Sequence, residues 1–449
     1  MKSCDVIIIG AGPGGYVAAI RAAQLGLKTT LVEKYRMGGM CLNWGCVPAR
    51  RLMESARVYD RALNAAAFGV EGIDKNSVCF NWKRSVAEKD RIVTKLVKGV
   101  EFLMKKNKVD VISGEARLAG GTRVIVGEET YETKKTIIAT GSRPNRTHFA
   151  ALPDNLAVEV DDFFARDEIP DSIIVAGGDT VACEMASMLH TIGKTVTIVT
   201  EEQKLVSRLD ESLASYIADR FKKQGIRVLT GSRFTGVDGE GVKVGDEVIV
   251  CDLVVNCERR TAVLPQMNDV PLDVDNGFIS VNEFMQTSVP SVYAVGDVTG
   301  SIFAHAASAQ GICAINHIAG LKEAVDTLRM PVTIYMDPEI SSVGYTEEEL
   351  KRQGIEYVRG DFPMNVNSKA IVEGNIEGFV KILADQKYGE VLGVHVVAAR
   401  ATDLIAEAVM CMRTEGTLDD LTRVVHAHPT VSETVLEAGY KASGKPLHI

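Results

Sequence analysis

The sequence predicts an α/β protein with two Rossmann-like dinucleotide-binding units and a separate α+β region at its C-terminal end. Three observations predict it. A strand, a glycine turn, a helix and a second strand follow one another at the start of the chain. The same order returns in "SIIVAGGDTVACEMASMLHTIGKTVTIVT", and after Pro331 short strands alternate with helices. At 449 residues the chain has room for about three domains of roughly 150 residues, each with its own core.

The first unit runs "DVIIIG", "AGPGG", "YVAAIRAAQLG" and "KTTLVEK", which is strand, turn, helix, strand. Gly10, Gly12 and Gly15 fill the GxGxxG positions, and Glu33 ends the second strand about twenty residues on, where a ribose hydroxyl would be held. A side chain at Gly12 would keep the backbone away from a pyrophosphate whose charge the helix N-terminus stabilises. Two helical stretches follow, around "RRLMESARVYDRALNAA" and "VAEKDRIVTKLVKGVEFLMKKN", the second amphipathic and strongly charged. Short strands then end in "KKTIIATGSRP", a strand entering a glycine turn, before the second βαβ unit. From about Gln266 the composition changes through "VYAVGDVTG" and the helix "AHAASAQGICAINHIAG". The last region opens with "VTIYMDPEISSVGYTEEEL" and continues through "GFVKILAD", "EVLGVHVV" and "ATDLIAEAVMCMRTE". With no low-complexity linker between them, these pieces are expected to pack as one body.

Composition excludes several classes. A net charge of −9 with no long basic run excludes the basic stripe that binds nucleic acid. The apolar opening is interrupted by glycine, proline and arginine, so it is read neither as a membrane span nor as a signal peptide. Nine cysteines, an odd number spread over a long chain, argue against a disulfide framework and for a reducing, cytoplasmic compartment.

Against that background "GGMCLNWGCVPAR" places Cys41 and Cys46 five positions apart in a glycine-bracketed turn. Such a pair is a structural staple, half of a metal site, or a redox couple. A metal centre needs more ligands than the motif supplies. At the other end "HAHPTVSE" offers His428 and Glu433; a histidine oriented by a carboxylate is a general base for a thiol proton, although such a pair taken alone is more often structural.

Taken together, the first βαβ unit, the Cys41/Cys46 turn, "ATGSRP", "VYAVGD" and "HAHPTVSE" resemble the dihydrolipoamide dehydrogenase branch of the pyridine nucleotide-disulfide oxidoreductases, nearly end to end and in order. The resemblance implies an FAD-binding domain in residues 1–145 and again in 266–330, an NAD-type domain in 146–265, and a C-terminal domain in 331–449 that forms a homodimer. It implies FAD as cofactor, held by Gly10, Gly12, Gly14, Gly15, Glu33, Lys34, Gly39, Arg50, Thr140, Gly141, Gly296 and Asp297. It makes the cysteines a redox pair, with Cys46 against the flavin and Cys41 exchanging with substrate, and it turns His428 and Glu433 toward the disulfide of the partner subunit. Arg50 favours the thiolate form. The chain lacks a terminal cysteine pair, and "TEEQK" is led by acids where a 2′-phosphate site has arginines. The remaining substrate class is a dithiol such as dihydrolipoamide, free or carried on a protein.

The second unit departs from that family. Its six glycine-motif positions read Gly177, Gly178, Asp179, Thr180, Val181 and Ala182, so an aspartate replaces the second glycine. The ribose-binding acid falls on Thr200, followed by Glu201 and Glu202, and Glu258 stands where the family has a glycine. Arg50 replaces a lysine that pairs with a glutamate, here Glu184. The expectation is therefore an FAD-dependent dithiol/disulfide oxidoreductase in which NAD(H) binds weakly or not at all. The alternatives are an ordinary NAD-dependent dihydrolipoamide dehydrogenase and a flavin-containing subunit without catalysis.

Overall fold

The computed structural model describes residues 2–239, 241–268 and 270–449. Strand β1 (Lys2–Ile9) leads through a glycine turn into helix α1 (Pro13–Gln24) and back into β2 (Thr29–Glu33). The cysteine segment forms a short helix α2 (Gly39–Asn43) and the start of α3 (Cys46–Leu63), and the long α4 (Trp82–Lys106) follows. Strands β3 (Asp110–Ser113), β4 (Ala116–Ala119), β5 (Arg123–Val126) and β6 (Glu129–Ile138) complete the first region.

Strand β1 lies between β2 and β6, parallel to both, with Ile8 opposite Leu31 and Ile137. Val6, Ile7 and Ile8 are fully buried. A continuous apolar run suits a parallel strand covered on both faces, and an alternating run does not. The strand Val292–Ala294 pairs with the end of β6, and Gln266–Asn268 pairs with β4, so the chain returns to the first sheet after its second unit. Ala139 N–H bonds to Ile9 O and Val295 N–H to Ile138 O, at 2.8 and 2.9 Å. Three glycine turns far apart in sequence thus meet at one carboxyl edge of the sheet, where ligands of such folds bind.

The second unit is a five-stranded parallel sheet in the order Arg227–Leu229, Thr195–Val199, Ser172–Ala176, Leu253–Asn256, Ala157–Glu159. Its first helix, Thr180–Thr191, buries Ala182, Cys183, Met185, Ala186 and Leu189. Those residues share one core with Leu52, Met53 and Ala56 of α3 and with Ile334, Met336 and Ile340 further on. This common core fixes α3 against both later regions.

The last region is a five-stranded antiparallel sheet, Val332–Ile334, Glu339–Gly344, Val391–Ala398, Phe379–Asp385, Tyr357–Pro363. It joins the second unit through a buried ionic cluster. Lys381 Nζ lies 2.8 Å from Asp210 Oδ1 and 2.6 Å from a Glu347 oxygen, and His395 Nε2 lies 3.5 Å from Asp210. Asp210 also accepts from the N–H groups of Ser212 and Glu347, at 3.0 and 2.9 Å. Burying such charges is costly unless each is paired, and Lys381 pairs with Asp210 across the junction and with Glu347 beside it. Burial pushes the His395 imidazole down to about 4, against the pull of Asp210. Among the described residues no helix is long and apolar enough to cross a membrane.

Candidate functional site

The first glycine turn is shaped by close backbone approach. A Cβ on Gly15 would lie 1.8 Å from Gly10 O, and one on Gly10 would lie 2.2 Å from Ala139 O. Gly12 is different: its backbone is ordinary, at φ −66° and ψ 179°, and a Cβ there would meet nothing within 4 Å. Gly39 folds over it, its own Cβ position 2.6 Å from Gly12 Cα. Gly12 is also the N-cap of α1, which has no side-chain cap. Free N–H groups therefore face open space, an arrangement suited to a phosphate.

Glu33 closes one end of this groove. Its carboxylate accepts from Ala11 N–H and from Tyr35 N–H, both at 2.7 Å. Beside it is a cavity of about 270 Å³ lined by Glu33, Tyr35, Met37, Val97, Lys98 and Ser113 among others. Lys34 does not line that cavity; it pairs with Glu115 at 3.2 Å on the surface. Gly14 packs against Val295 and Ala307, which brings α1 to the "AVGD" segment. Along the same edge Thr140 Oγ1 donates to Val263 O at 2.5 Å, and Gly141 and Gly296 turn the chain with positive φ. Asp297 accepts from Ser142 Oγ at 2.6 Å, and Ser142 in turn accepts from Arg260 Nε at 3.0 Å. Burial raises the Asp297 carboxyl above its usual range, against the pull of Ser142 and Arg260. The uncapped helix start, the uncrowded Gly12, and the cavity at Glu33 fit an elongated dinucleotide such as FAD.

The cysteines lie at the far end. Trp44 and Gly45 N–H both bond to Met40 O, at 3.0 and 2.8 Å, which reverses the chain between the two thiols. Cys41 is on α2 and Cys46 is the first residue of α3. Both are thiols here, and they are polarised in opposite senses by one another. The hydrogen bond to Cys46, then burial, raises Cys41 far above an ordinary thiol. The same bond and the Arg50 charge lower Cys46, despite burial. The helix start adds to that effect. The surroundings thus favour ionisation at Cys46 over Cys41.

Arg50 stands one turn along α3 from Cys46. Its Nη1 is 2.8 Å from Glu184 Oε2, and Glu184, only 5% exposed, comes from the second unit's first helix. The pairing of Arg50 with Glu184 expected from the sequence is thus formed. Tyr335, from the C-terminal region, adds two contacts that sequence reasoning missed: its ring centroid is 3.7 Å from Arg50 Cζ, and its N–H donates to Glu184 Oε1 at 2.9 Å. An aromatic before "MDPE" was the only available signal. Ser142 and Arg260 were missed as well, since a serine and an arginine in turns carry no periodic signature.

His428 and Glu433 are brought together in the C-terminal region, Nδ1 to Oε1 at 2.9 Å. Glu433 also accepts from Thr430 N–H at 2.8 Å, and these partners hold its carboxyl below the usual range despite burial. With Nδ1 donating to a carboxylate, Nε2 is the basic nitrogen. The ring is 70% exposed, so the base points away from its own chain's core.

The second glycine turn is closed where the first is open. Asp179 caps Thr180–Thr191, accepting from Thr180 N–H at 2.8 Å. Arg259 bridges it to Glu202, with Nε 3.5 Å from Asp179 and Nη2 3.2 Å from Glu202. Thr200 is buried and accepts from Glu202 N–H at 3.2 Å, while Glu201 pairs with His148 at 2.9 Å. Burial raises Glu258, which stands at the same mouth. The cavity between Gly178, Asp179, Glu202, Ser207, Glu258 and Arg259 is only about 30 Å³, on the order of a single water.

The chain is similar to known proteins over its whole length. A family profile described as pyridine nucleotide-disulphide oxidoreductase matches residues 4–311, and the dimerisation domain of the same family matches residues 330–439. The dihydrolipoyl dehydrogenase of Bacillus subtilis is 38% identical, across 99% of both chains. The mitochondrial dihydrolipoyl dehydrogenase of Pisum sativum is 37% identical, across 99% of this chain and 92% of that one, and a leghemoglobin reductase of Glycine max is 37% identical across 98% and 88%. Among solved structures, LpdA from Mycobacterium tuberculosis superposes with a TM-score of 0.90 at 22% identity, covering 98% of this chain and 99% of that one. The HOCl-induced flavoprotein disulfide reductase RclA from Escherichia coli superposes at 0.82, with 21% identity, covering 96% and 98%.

Proposed function

Because this chain belongs to the pyridine nucleotide-disulfide oxidoreductases and is a flavoprotein disulfide oxidoreductase of the dihydrolipoyl dehydrogenase kind, we propose that it oxidises a dithiol such as dihydrolipoamide, free or protein-bound, with little use of NAD(H). The observation that carries the dithiol chemistry is the opposite polarisation of Cys41 and Cys46 beside Arg50.

His428 Nε2, oriented by Glu433, takes the proton of one substrate thiol, and that sulfur attacks Cys41 Sγ in the oxidised Cys41–Cys46 pair. A mixed disulfide forms with Cys41 as the bond to Cys46 breaks, leaving the Cys46 thiolate. The second substrate sulfur then attacks the first, its proton passing to the departing Cys41. The substrate leaves as a cyclic disulfide, and the protein holds a Cys41 thiol, a Cys46 thiolate and a protonated His428. The polarised pair is suited to that product, since Cys41 retains a proton strongly and Cys46 does not. FAD, when bound by the turns at Gly10, Gly12, Gly14, Gly15, Glu33 and Gly39, with Thr140, Gly141, Gly296 and Asp297 along the edge, supplies a two-electron acceptor beside Cys46. The exposed dyad suits a homodimer in which it serves the partner's thiols. A cytoplasmic location goes with this reading, because nine cysteines, an odd number spread over the chain, call for a reducing compartment.

Weak use of NAD(H) rests on the second glycine turn. Asp179 occupies the helix start meant for a pyrophosphate, Arg259 ties it to Glu202, and Thr200 offers the ribose no carboxylate. A second reading, the ordinary NAD-dependent dihydrolipoyl dehydrogenase, is favoured by relatives of that name along the whole chain. One experiment separates them: the purified yellow protein is mixed anaerobically with dihydrolipoamide or with NADH, and the flavin spectrum is followed. Bleaching by the dithiol alone supports the proposal, bleaching by both at comparable concentrations supports the second reading, and bleaching by neither rejects both.

A further inference from the structure

The replacement of a lysine by Arg50 leaves a question of orientation. A guanidinium is planar, and its field at a nearby sulfur depends on how the plane is held. Arg50 has an edge contact to Glu184 and a thioether contact to Met53 Sδ at 3.5 Å, yet its side chain is one-third exposed, so these alone leave it a path toward water. The face of the guanidinium is covered by Tyr335 at 3.7 Å. Tyr335 is in turn immobilised through its backbone. Its N–H donates to Glu184 Oε1 at 2.9 Å, its carbonyl accepts from Arg57 Nη2 at 3.2 Å, and Arg57 is paired with Glu339 at 3.1 Å. Three segments, α3, the helix Thr180–Thr191 and the turn after Val332–Ile334, therefore close around one cation.

We infer that Tyr335 is a positioning residue: its ring, lying over the Arg50 guanidinium, holds that cation beside the start of α3, one turn from Cys46. Tyr335 acts through Arg50. The inference rests on the reading of Cys46 as the flavin-side thiolate. The charged and titratable groups that face the pair are Cys41 and Tyr16 on the α1–α2 side, Asp297 from the "AVGD" turn, Arg50 on α3, Glu184 from the second unit and Tyr335 itself. Of these only Arg50 is cationic. Loss of the stack frees a cation that is already one-third exposed to turn toward water, and the weakened field is expected to move the thiol up by about one pKa unit, a tenfold change in thiolate at fixed pH.

The test uses the holoprotein reduced by two electrons with dithionite, and follows the long-wavelength thiolate-to-flavin absorbance against pH. Cys46→Ser comes first: persistence of the band there rejects the thiolate assignment itself, separately from the role of Tyr335. Given its loss, Tyr335→Phe is expected to titrate within about 0.2 units of the unmodified protein, and Tyr335→Leu about one unit higher. On an Arg50→Met background Tyr335→Leu is expected to add nothing, since the two act as one unit. An unshifted Tyr335→Leu titration, or a shift of the same size without Arg50, overturns the inference. Tyr335→Met replaces the leucine protein if that one loses flavin. Loss of flavin from both, with retention by Tyr335→Phe, also overturns it in favour of a purely structural ring.

Discussion

Two alanines, three positions apart in the same turn, are expected to have opposite consequences. In Gly15→Ala the new methyl would lie 1.8 Å from Gly10 O and 3.4 Å from Ala139 Cβ. An ordinary carbon–oxygen contact is about 3.3 Å, so β1 and α1 must separate by roughly 1.5 Å. Both are packed elements, and overpacking of that size costs about 3 kcal/mol. The thermal transition of the first unit is expected to fall by roughly 6–12 °C, with or without flavin. In Gly12→Ala the methyl meets no atom within 4 Å, and the backbone angles suit any residue. The apoprotein is expected to be as stable as the parent, or more stable by about 0.4–1 kcal/mol through a stiffer unfolded chain. FAD, however, loses its close approach to the α1 start. Each charge-assisted N–H bond forfeited there costs about 1.5–3 kcal/mol, so affinity is expected to drop roughly ten- to a hundredfold per bond. Calorimetry of the apoproteins and fluorescence titration with FAD measure the two effects separately. Wild-type FAD affinity in Gly12→Ala would refute the assignment of that space to the pyrophosphate, and wild-type stability in Gly15→Ala would refute the packing argument.

Three further outcomes are expected. Asp179→Gly should tighten NADH by about tenfold in titration calorimetry: a bare carboxylate roughly 5 Å from a phosphate repels it by about 3 kcal/mol at an effective dielectric of about 20, and Arg259, 3.5 Å away, already offsets most of that; micromolar NADH affinity in the unmodified protein contradicts the closed-turn reading. Mixing Cys41→Ser with His428→Ala protein under subunit exchange should restore part of the dithiol activity, and no recovery despite demonstrated exchange would place the base within one chain. The third concerns acid stability. His395 is held neutral by burial, with its folded value lowered to about 4 from 6.5, so its contribution is intact above pH 6.5 and is lost as pH falls toward 4. The loss amounts to about 3 kcal/mol, and His395→Gln should flatten the stability profile in that window; an unchanged slope in urea titrations would show that other groups govern it.

Much of this was legible in the sequence because it depends on short-range requirements. The apolar run of β1 can only be a strand covered on both faces, Gly10 and Gly15 are demanded by backbone contact, and an aspartate before a helix is a cap wherever the helix lies. The cysteine spacing, Arg50 with Glu184, and His428 with Glu433 were likewise readable, the last two pairs through resemblance. Tertiary structure alone decided what distant segments do to one another. Nothing local in "VTIYMDPE" says that Tyr335 lies over Arg50, 285 positions earlier, or that Arg259 ties Asp179 to Glu202. Nor does "ATGSRP" say that Ser142 meets Asp297 and Arg260. Lys34, placed at the cofactor by resemblance, pairs with Glu115, a partner that no local pattern around "VEKYR" announces. Such pairings follow from the common core that fixes α3 against the second unit and the C-terminal sheet, and that core exists only once all three have packed.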